Sequence, residues 1–467
     1  MYSDARFIDN AYQSMWQNLA PELVFGILRH FIPFRGLKLS VTKPELFPWY
    51  LGQICSSWRE VFISYPAFWN YFIIQLEFES VSFTDLDRAL AILHACLPRS
   101  RNSPFSFQLV LYPHKLYYRM RGEQILELLV GQSTRWHDAH IDLYELELPV
   151  LYTVKDKLPM LHSMRVNLTT VPEEIDDGVS VIPPPPTYSD LFENTPNLRR
   201  IHLSEFTWNV DWSALTVIHL RYHRYRASLD YCSRATHLEE LNIYGQLLPD
   251  TRVPITLPFL KILRTGSEKA LKLFRTPILQ ELCFKRIGGL HGTNFRDTLS
   301  VYLPSLLHLT KLTLCTNDIG VVEILLQYMP AVSDLCLYAG EPYSYGLIPG
   351  CPAENYLSDC KTDFLKLLAE CPKARCLKSL TIGVLSCDES RLANITTWMR
   401  RKHLLDGVHF FNELEHLSLV FDASANTHSF SVVKQHLEAE GIRNSIRMMN
   451  TEDDDIVFDF LLDWNDY

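Results

Sequence analysis

One short pattern recurs through most of this chain and restricts its fold more than any other feature. It is a leucine or equivalent, two residues, a second apolar residue, one residue, and a third. Seven copies are plain: Leu198-Ile201-Leu203, Leu238-Leu241-Ile243, Leu279-Leu282-Phe284, Leu309-Leu312-Leu314, Val332-Leu335-Leu337, Leu377-Leu380-Ile382 and Leu414-Leu417-Leu419. Weaker copies start at Trp136, Leu161, Leu215 and Leu260. The last positions of each copy alternate apolar and polar, which is the period of a strand with one buried face. Such a unit cannot bury its apolar face alone, whereas stacked units bury one continuous core.

From Leu198 to Val332 the copies start 17, 23, 22, 19, 30 and 23 residues apart. That spacing lies in or near the range of leucine-rich repeats. The next gaps, 45 and 37, require inserted loops, for which the Gly- and Pro-rich stretch Ala339–Tyr356 is one candidate; Ile182–Pro186 (IPPPP) is a stiff break of another kind. Helical runs closed by Pro330 and Pro372 return the chain to the next strand. The expected architecture is therefore an irregular leucine-rich-repeat solenoid. Within each strand the residue between the last two apolar positions points away from the leucines. Down the chain this column reads Arg165, His202, His219, Asn242, Arg264, Cys283, Thr313, Cys336, Thr381 and Ser418, basic first and then small or uncharged. A solenoid uses that face for binding, and Arg165, His202, His219, Asn242 and Arg264 are the expected contacts for an acidic or phosphorylated segment. The plainer alternative is a row of solvated strand positions.

Residues 17 to 71 carry a different pattern. Pro21 and Glu22 suit a helix start, since proline loses nothing in the first turn and a carboxylate there complements the dipole. Leu23, Val24, Ile27, Leu28 and Phe31 then recur at helical spacing until Pro33. Gly26, unfavourable inside a helix by about 1 kcal/mol relative to alanine, is expected at a close contact. A second helix is expected from Pro48, with Leu51, Ile54, Cys55, Trp58 and Phe62 on one stripe, followed by the aromatic cluster Phe68, Trp69 and Tyr71. A module of about 50 residues cannot bury so many large side chains by itself. The surplus marks a partner interface or packing on the rest of the chain.

The segments LAPEL (Leu19–Leu23), QICSSWREV (Gln53–Val61) and YPAFW (Tyr65–Trp69), in that order, resemble an F-box. That motif runs Leu-Pro-x-Glu-Leu, Val-Cys-x-x-Trp-Arg and Pro-x-Leu-Trp. Ala20 stands where the family has proline, and residues 33–48 lengthen the first loop. The resemblance implies a three-helix module that docks the Skp-family adaptor of cullin–RING ubiquitin ligases. Leu19, Pro21, Glu22, Leu23, Ile27, Leu28, Leu51, Ile54, Cys55 and Trp58 fall on the motif. It further implies a substrate receptor of an SCF-type ligase, which holds an unidentified client protein on its repeats and performs no catalysis. The other reading is a leucine-rich-repeat scaffold that works without a ligase. The expected chain is α/β: an extension at 1–16, an F-box-like module at 17–71, linking helices, strands and first irregular repeats at 72–135, a degenerate repeat solenoid at 136–450 and an acidic-apolar cap at 451–467.

Composition narrows the function classes. A net charge of −10 argues against a general nucleic-acid binder, and the basic-aromatic run Arg221–Arg226 is too short to reverse that. The longest uncharged stretch, Val61–Leu76, has 16 residues, short of a membrane span. Eleven scattered cysteines without a CxxC pair indicate an intracellular chain, cytoplasmic or nuclear. Cys360, Cys371, Cys376 and Cys387 match no zinc spacing, and His219 and His223 fall on strand and turn, so no metal and no cofactor is expected. Phosphate-loop, HExxH, GxSxG and kinase motifs are absent.

Overall fold

The computed structural model describes residues 19–30, 39–41, 44, 47–76, 82–111, 116–169, 188–203, 208–221, 228–244, 254–265, 273–284, 306–315, 319–329, 331–338, 377–385, 416–422 and 443–449. The extension 1–16, the IPPPP break, the basic run beyond Arg221, the Ala339–Tyr356 stretch, Pro330 and Pro372, the cysteines Cys360, Cys371, Cys376 and Cys387 and the 451–467 cap lie outside them. The chain divides into two units, Met1–Tyr222 and His223–Tyr467.

In the first unit seven parallel strands follow one another in sequence order: β1 (Leu39–Ser40), β2 (Tyr71–Leu76), β3 (Phe105–Leu111), β4 (Trp136–Tyr144), β5 (Ser163–Thr169), β6 (Arg200–Leu203) and β7 (Val217–Arg221). Helices α1 (Pro21–Arg29) and α2 (Ser56–Ser64) precede β2, α3 (Phe83–Cys96) and α4 (Leu116–Val130) make the next two crossovers, and α5 (Leu148–Tyr152) follows β4. Helix α3 starts at a capping box, in which the Ser82 backbone N–H donates to Asp85 and the Ser82 hydroxyl serves the first turn.

The described residues of the second unit form eight parallel strands, again in sequence order. They are β8 (Glu240–Tyr244), β10 (Ile262–Thr265), β12 (Glu281–Phe284), β13 (Lys311–Cys315), β14 (Asp334–Tyr338), β15 (Ser379–Leu385), β16 (His416–Asp422) and β17 (Arg443–Met449). A side ribbon pairs β9 (Ile255–Thr256) with β11 (Phe274–Arg275), and the described residues of this unit also form the helices α6 (Ser228–Arg234) and α7 (Ile319–Tyr328).

The leucine pattern sets the register. The middle apolar residues of successive copies are paired, Leu241 with Leu263, then Leu282, Leu312, Leu335, Leu380 and Leu417. In the first unit Ile201 pairs with Met164 and Ile218. Through Leu380 these side chains are buried. A slip by one residue would turn the whole row to the other face, so burial fixes the pairing.

The N-terminal segment departs from expectation in two ways and decides a third point between the two alternatives. Among the described residues of 19–71 there are two α-helices and two 3-10 turns, Trp49–Gln53 and Pro66–Trp69. The continuous stripe from Leu51 to Phe62 is broken, because Cys55 is fully extended (φ −161°, ψ 175°) and α2 begins only at Ser56. The turn folds back on α2 instead: Arg59 Nε donates to the Gly52 carbonyl at 2.9 Å, and a Cβ on Gly52 would stand 3.2 Å from the Phe62 ring. The close contact expected at Gly26 is absent, since nothing lies within 4 Å of a Cβ added there. Finally, the surplus aromatic surface is covered by the chain itself. Phe47, Phe62, Phe68 and Trp69 form one buried cluster, Trp69 Nε1 donates to the Phe62 carbonyl at 3.0 Å, and the Arg99 guanidinium lies 4.6 Å above the Trp69 ring. The long loop after α1 also contributes β1, whose Leu39 and Ser40 pair with Phe72 and Ile73.

Candidate functional site

The ten motif residues of the N-terminal segment separate by burial. Leu28, Leu51 and Trp58 are buried and hold the helices together. Pro21 and Glu22 are exposed, as are Leu23 at 59% and Ile54 at 49%; Leu19, Ile27 and Cys55 are half-buried. Tyr50 and Ile63 are exposed beside them in sequence, and motif reading did not single them out. Their signal was present: Ile63 follows the buried Phe62 and must face the other way on a helix with one packed stripe. The result is a set of large apolar side chains left in solvent on a segment whose aromatic core is closed.

The polar column behaves differently from expectation. It is a true ladder in each unit, running Gln108, His140, Arg165, His202 and His219 in the first, and Asn242, Arg264, Cys283, Thr313, Cys336, Thr381 and Ser418 in the second. Yet His202, His219, Asn242, Arg264, Cys283 and Thr313 are buried, and Arg165 is half-buried, so these are not solvated strand positions.

In the second unit Arg264 is already engaged. Its guanidinium is ion-paired to Glu240, lies 3.3 Å from Glu281 Oε1, and Asn242 Nδ2 donates to Glu240 at 3.1 Å; Lys311 closes the row on Glu281 at 3.2 Å. Glu240 and Glu281 are the outward neighbours two positions before the column, on the same face of their strands. Reading a single column missed them. Arg264 and Asn242 are therefore cross-strand ties, and an incoming anion would have to displace two carboxylates.

In the first unit the cluster centres on Arg165. Asn167 Nδ2 donates to Asp142 at 2.6 Å, His140 Nε2 lies 3.5 Å from the same carboxylate, and the His202 and His219 rings meet edge to face at 4.0 Å. Burial, with Arg165 close by, pushes the His140 imidazole below its ordinary range. Burial opposes ionisation of Asp142, but His140, Arg165 and Asn167 outweigh it and hold the carboxylate low. His202 is driven well down, first by burial and then by His219 and Arg165. The face thus carries the Arg165 guanidinium, imidazoles held neutral and the ionised Asp142 carboxylate, a mixed hydrogen-bonding array. Among the described residues no three His, Cys, Asp or Glu side chains converge on a metal position, and no helix is long and apolar enough to cross a membrane. No protein-family model matches the chain, and no curated protein matches its sequence.

Proposed function

We propose that this chain is the substrate-recognition subunit of an SCF-type ubiquitin ligase. Its N-terminal helices dock a Skp-family adaptor, and its strands, read as a degenerate leucine-rich-repeat solenoid, hold a client protein. The observation that carries this reading is the exposed pair Leu23 and Ile54 on the F-box-like segments, beside a core that is otherwise closed. Large apolar side chains left in solvent on the segments of one motif are the kind of surface a protein partner covers. On this reading the chain contributes proximity and no chemistry, since holding a client near the transferring enzyme raises its effective concentration. The setting is intracellular.

The test is co-expression with a Skp-family adaptor followed by size-exclusion chromatography. Leu23→Asp/Ile54→Asp should abolish co-elution while leaving the melting temperature unchanged, because both side chains are solvated. A folded wild type that elutes apart from the adaptor removes the proposal and leaves a ligase-independent scaffold.

A further inference from the structure

The turns that open the strands of the second unit form a row of their own. In each, the N–H of the first apolar residue donates to the carbonyl three residues back: Leu238 to Ala235, Leu260 to Leu257, Leu279 to Thr276 and Leu309 to Leu306, at 3.2 or 3.3 Å. This turn projects its middle residues into solvent. On three consecutive strands they include Phe259 and Ile278, which stand opposite each other, and Leu307, one position earlier in its turn, exposed at 50%, 37% and 52%. The strands β8, β10, β12 and β13 are paired in register, so neighbouring turn residues stand about 4.8 Å apart. His237, on the β8 turn, stacks on Phe259 with ring centroids 6.0 Å apart. Single exposed leucines are ordinary, but large apolar side chains in solvent on three successive turns are not, and turns otherwise favour polar residues.

The charge on this rim is opposite to that of the chain. Arg234 and Arg275, four residues before the first apolar residue of their copies, are both exposed. The exposed carboxylate of these turns, Glu239, is held by Lys261 at 3.0 Å. A cationic, apolar ridge therefore stands on a protein of net charge −10.

We propose that this ridge docks an acidic amphipathic helix of a partner protein. A helix laid across the strands offers one apolar side chain per turn, about every 5.4 Å, close to the strand spacing of about 4.8 Å. Residues at three- and four-residue spacing then meet Phe259, Ile278 and Leu307 in succession, and carboxylates along the flank reach Arg234 and Arg275. The surface shares no residue with the adaptor-docking helices, and the proposal does not depend on them.

The full-length chain is titrated by fluorescence anisotropy with a labelled peptide bearing leucines at helical spacing and glutamate elsewhere, and with the same peptide carrying lysine for glutamate. The glutamate peptide should bind and the lysine peptide should not. Phe259→Ser/Ile278→Ser and Arg234→Glu/Arg275→Glu should each weaken binding about tenfold or more. All four side chains are solvated, so both variants should melt with the wild type, which is measured alongside. Leu23→Asp/Ile54→Asp should bind the peptide as wild type does, which separates this surface from the adaptor reading. Equal binding of the two peptides, no saturable binding of the glutamate peptide, or wild-type binding by either folded rim variant overturns the proposal.

Discussion

Arg264 is the residue on which a binding role and a structural role part most sharply. Its side chain and that of Glu240 are each less than a tenth exposed, so solvent screening does little to discount their interaction. Arg264→Met removes the cation and strands Glu240 in a buried site with Glu281 near the same guanidinium. Breaking a buried pair in this way costs about 3–5 kcal/mol, because the remaining charge is uncompensated. Replacing both partners by neutral groups of similar shape should restore most of that, so Arg264→Met/Glu240→Gln should lie within about 1–2 kcal/mol of wild type. Because the chain divides into two units, global melting is a poor measure, and native-state hydrogen exchange of the β8, β10 and β12 amides reads the local free energy instead. A single variant that loses less than about 1 kcal/mol, or a double variant as unstable as the single one, would refute the tie described above. It would also return Arg264 to the candidates for client contact.

Acidification should loosen the first unit. The folded pKa of buried His202 is depressed, so below the unfolded value of about 6.5 the unfolded chain takes up the proton first, and stability present above that pH is lost as pH falls. His137 works in the opposite sense, raised chiefly by its hydrogen bond to Asp138, but it is half-exposed and the weaker contributor. Exchange of β6 and β7 amides should therefore accelerate between pH 7.5 and 5.5, and His202→Gln should flatten that dependence; a pH-independent rate in the wild type, after correction for intrinsic exchange, would contradict it. Two helix glycines should respond in opposite directions to alanine. Gly26→Ala should stabilise by about 0.5–1 kcal/mol, since the space is open. Gly122→Ala should destabilise by about 1–3 kcal/mol before the smaller propensity gain, since its Cβ would stand 2.5 Å from a methyl of buried Leu111. Chemical denaturation of the two variants decides the signs. Alkylation at pH 8 should reach half-buried Cys55 before Cys96 and Cys232, whose thiols burial pushes up to about 11 and about 12. Bound adaptor should protect Cys55, as mass spectrometry of the labelled chain would show.

The strands were legible because a period of two with leucine on the inner positions admits few other readings. Even the weak copies at Trp136, Leu161, Leu215 and Leu260 became strands, with Trp136 buried and its indole N–H donated to the Leu129 carbonyl at 3.0 Å. The break at Cys55 was hidden, since the stripe through Leu51, Trp58 and Phe62 reads as one helix unless Gly52 is known to lie against Phe62. The polar column was located correctly and its environment was not. Alternation tells which side of a strand a residue takes, and says nothing about what Glu240 and Glu281 on neighbouring strands do to Arg264. Helix stripes likewise rank residues by apolarity, so Leu23 and Leu28 looked alike, although one is solvated and the other buried.

The joint between the F-box-like helices and the sheet bears on the proposed function directly. Proximity aids transfer only if the span between adaptor and client is held within a narrow range. In the first unit that span is built from paired backbone: β1, drawn from the loop between α1 and α2, pairs with β2 at Leu39–Phe72 and Ser40–Ile73. Trp69, two residues before β2, is pinned to the Phe62 carbonyl and capped by Arg99. Strand β2 then places Ile73 in the same column as Gln108, His140 and Arg165. The long loop that departs from the F-box pattern therefore supplies the outermost strand of the sheet, and it ties the exposed Leu23–Ile54 segments to the polar face through hydrogen bonds. Deleting the β1 residues should leave Leu23 and Ile54 solvated, so adaptor co-elution should survive. Client ubiquitination should fall more than client binding does, and equal losses of the two would mean that the joint carries no positional role.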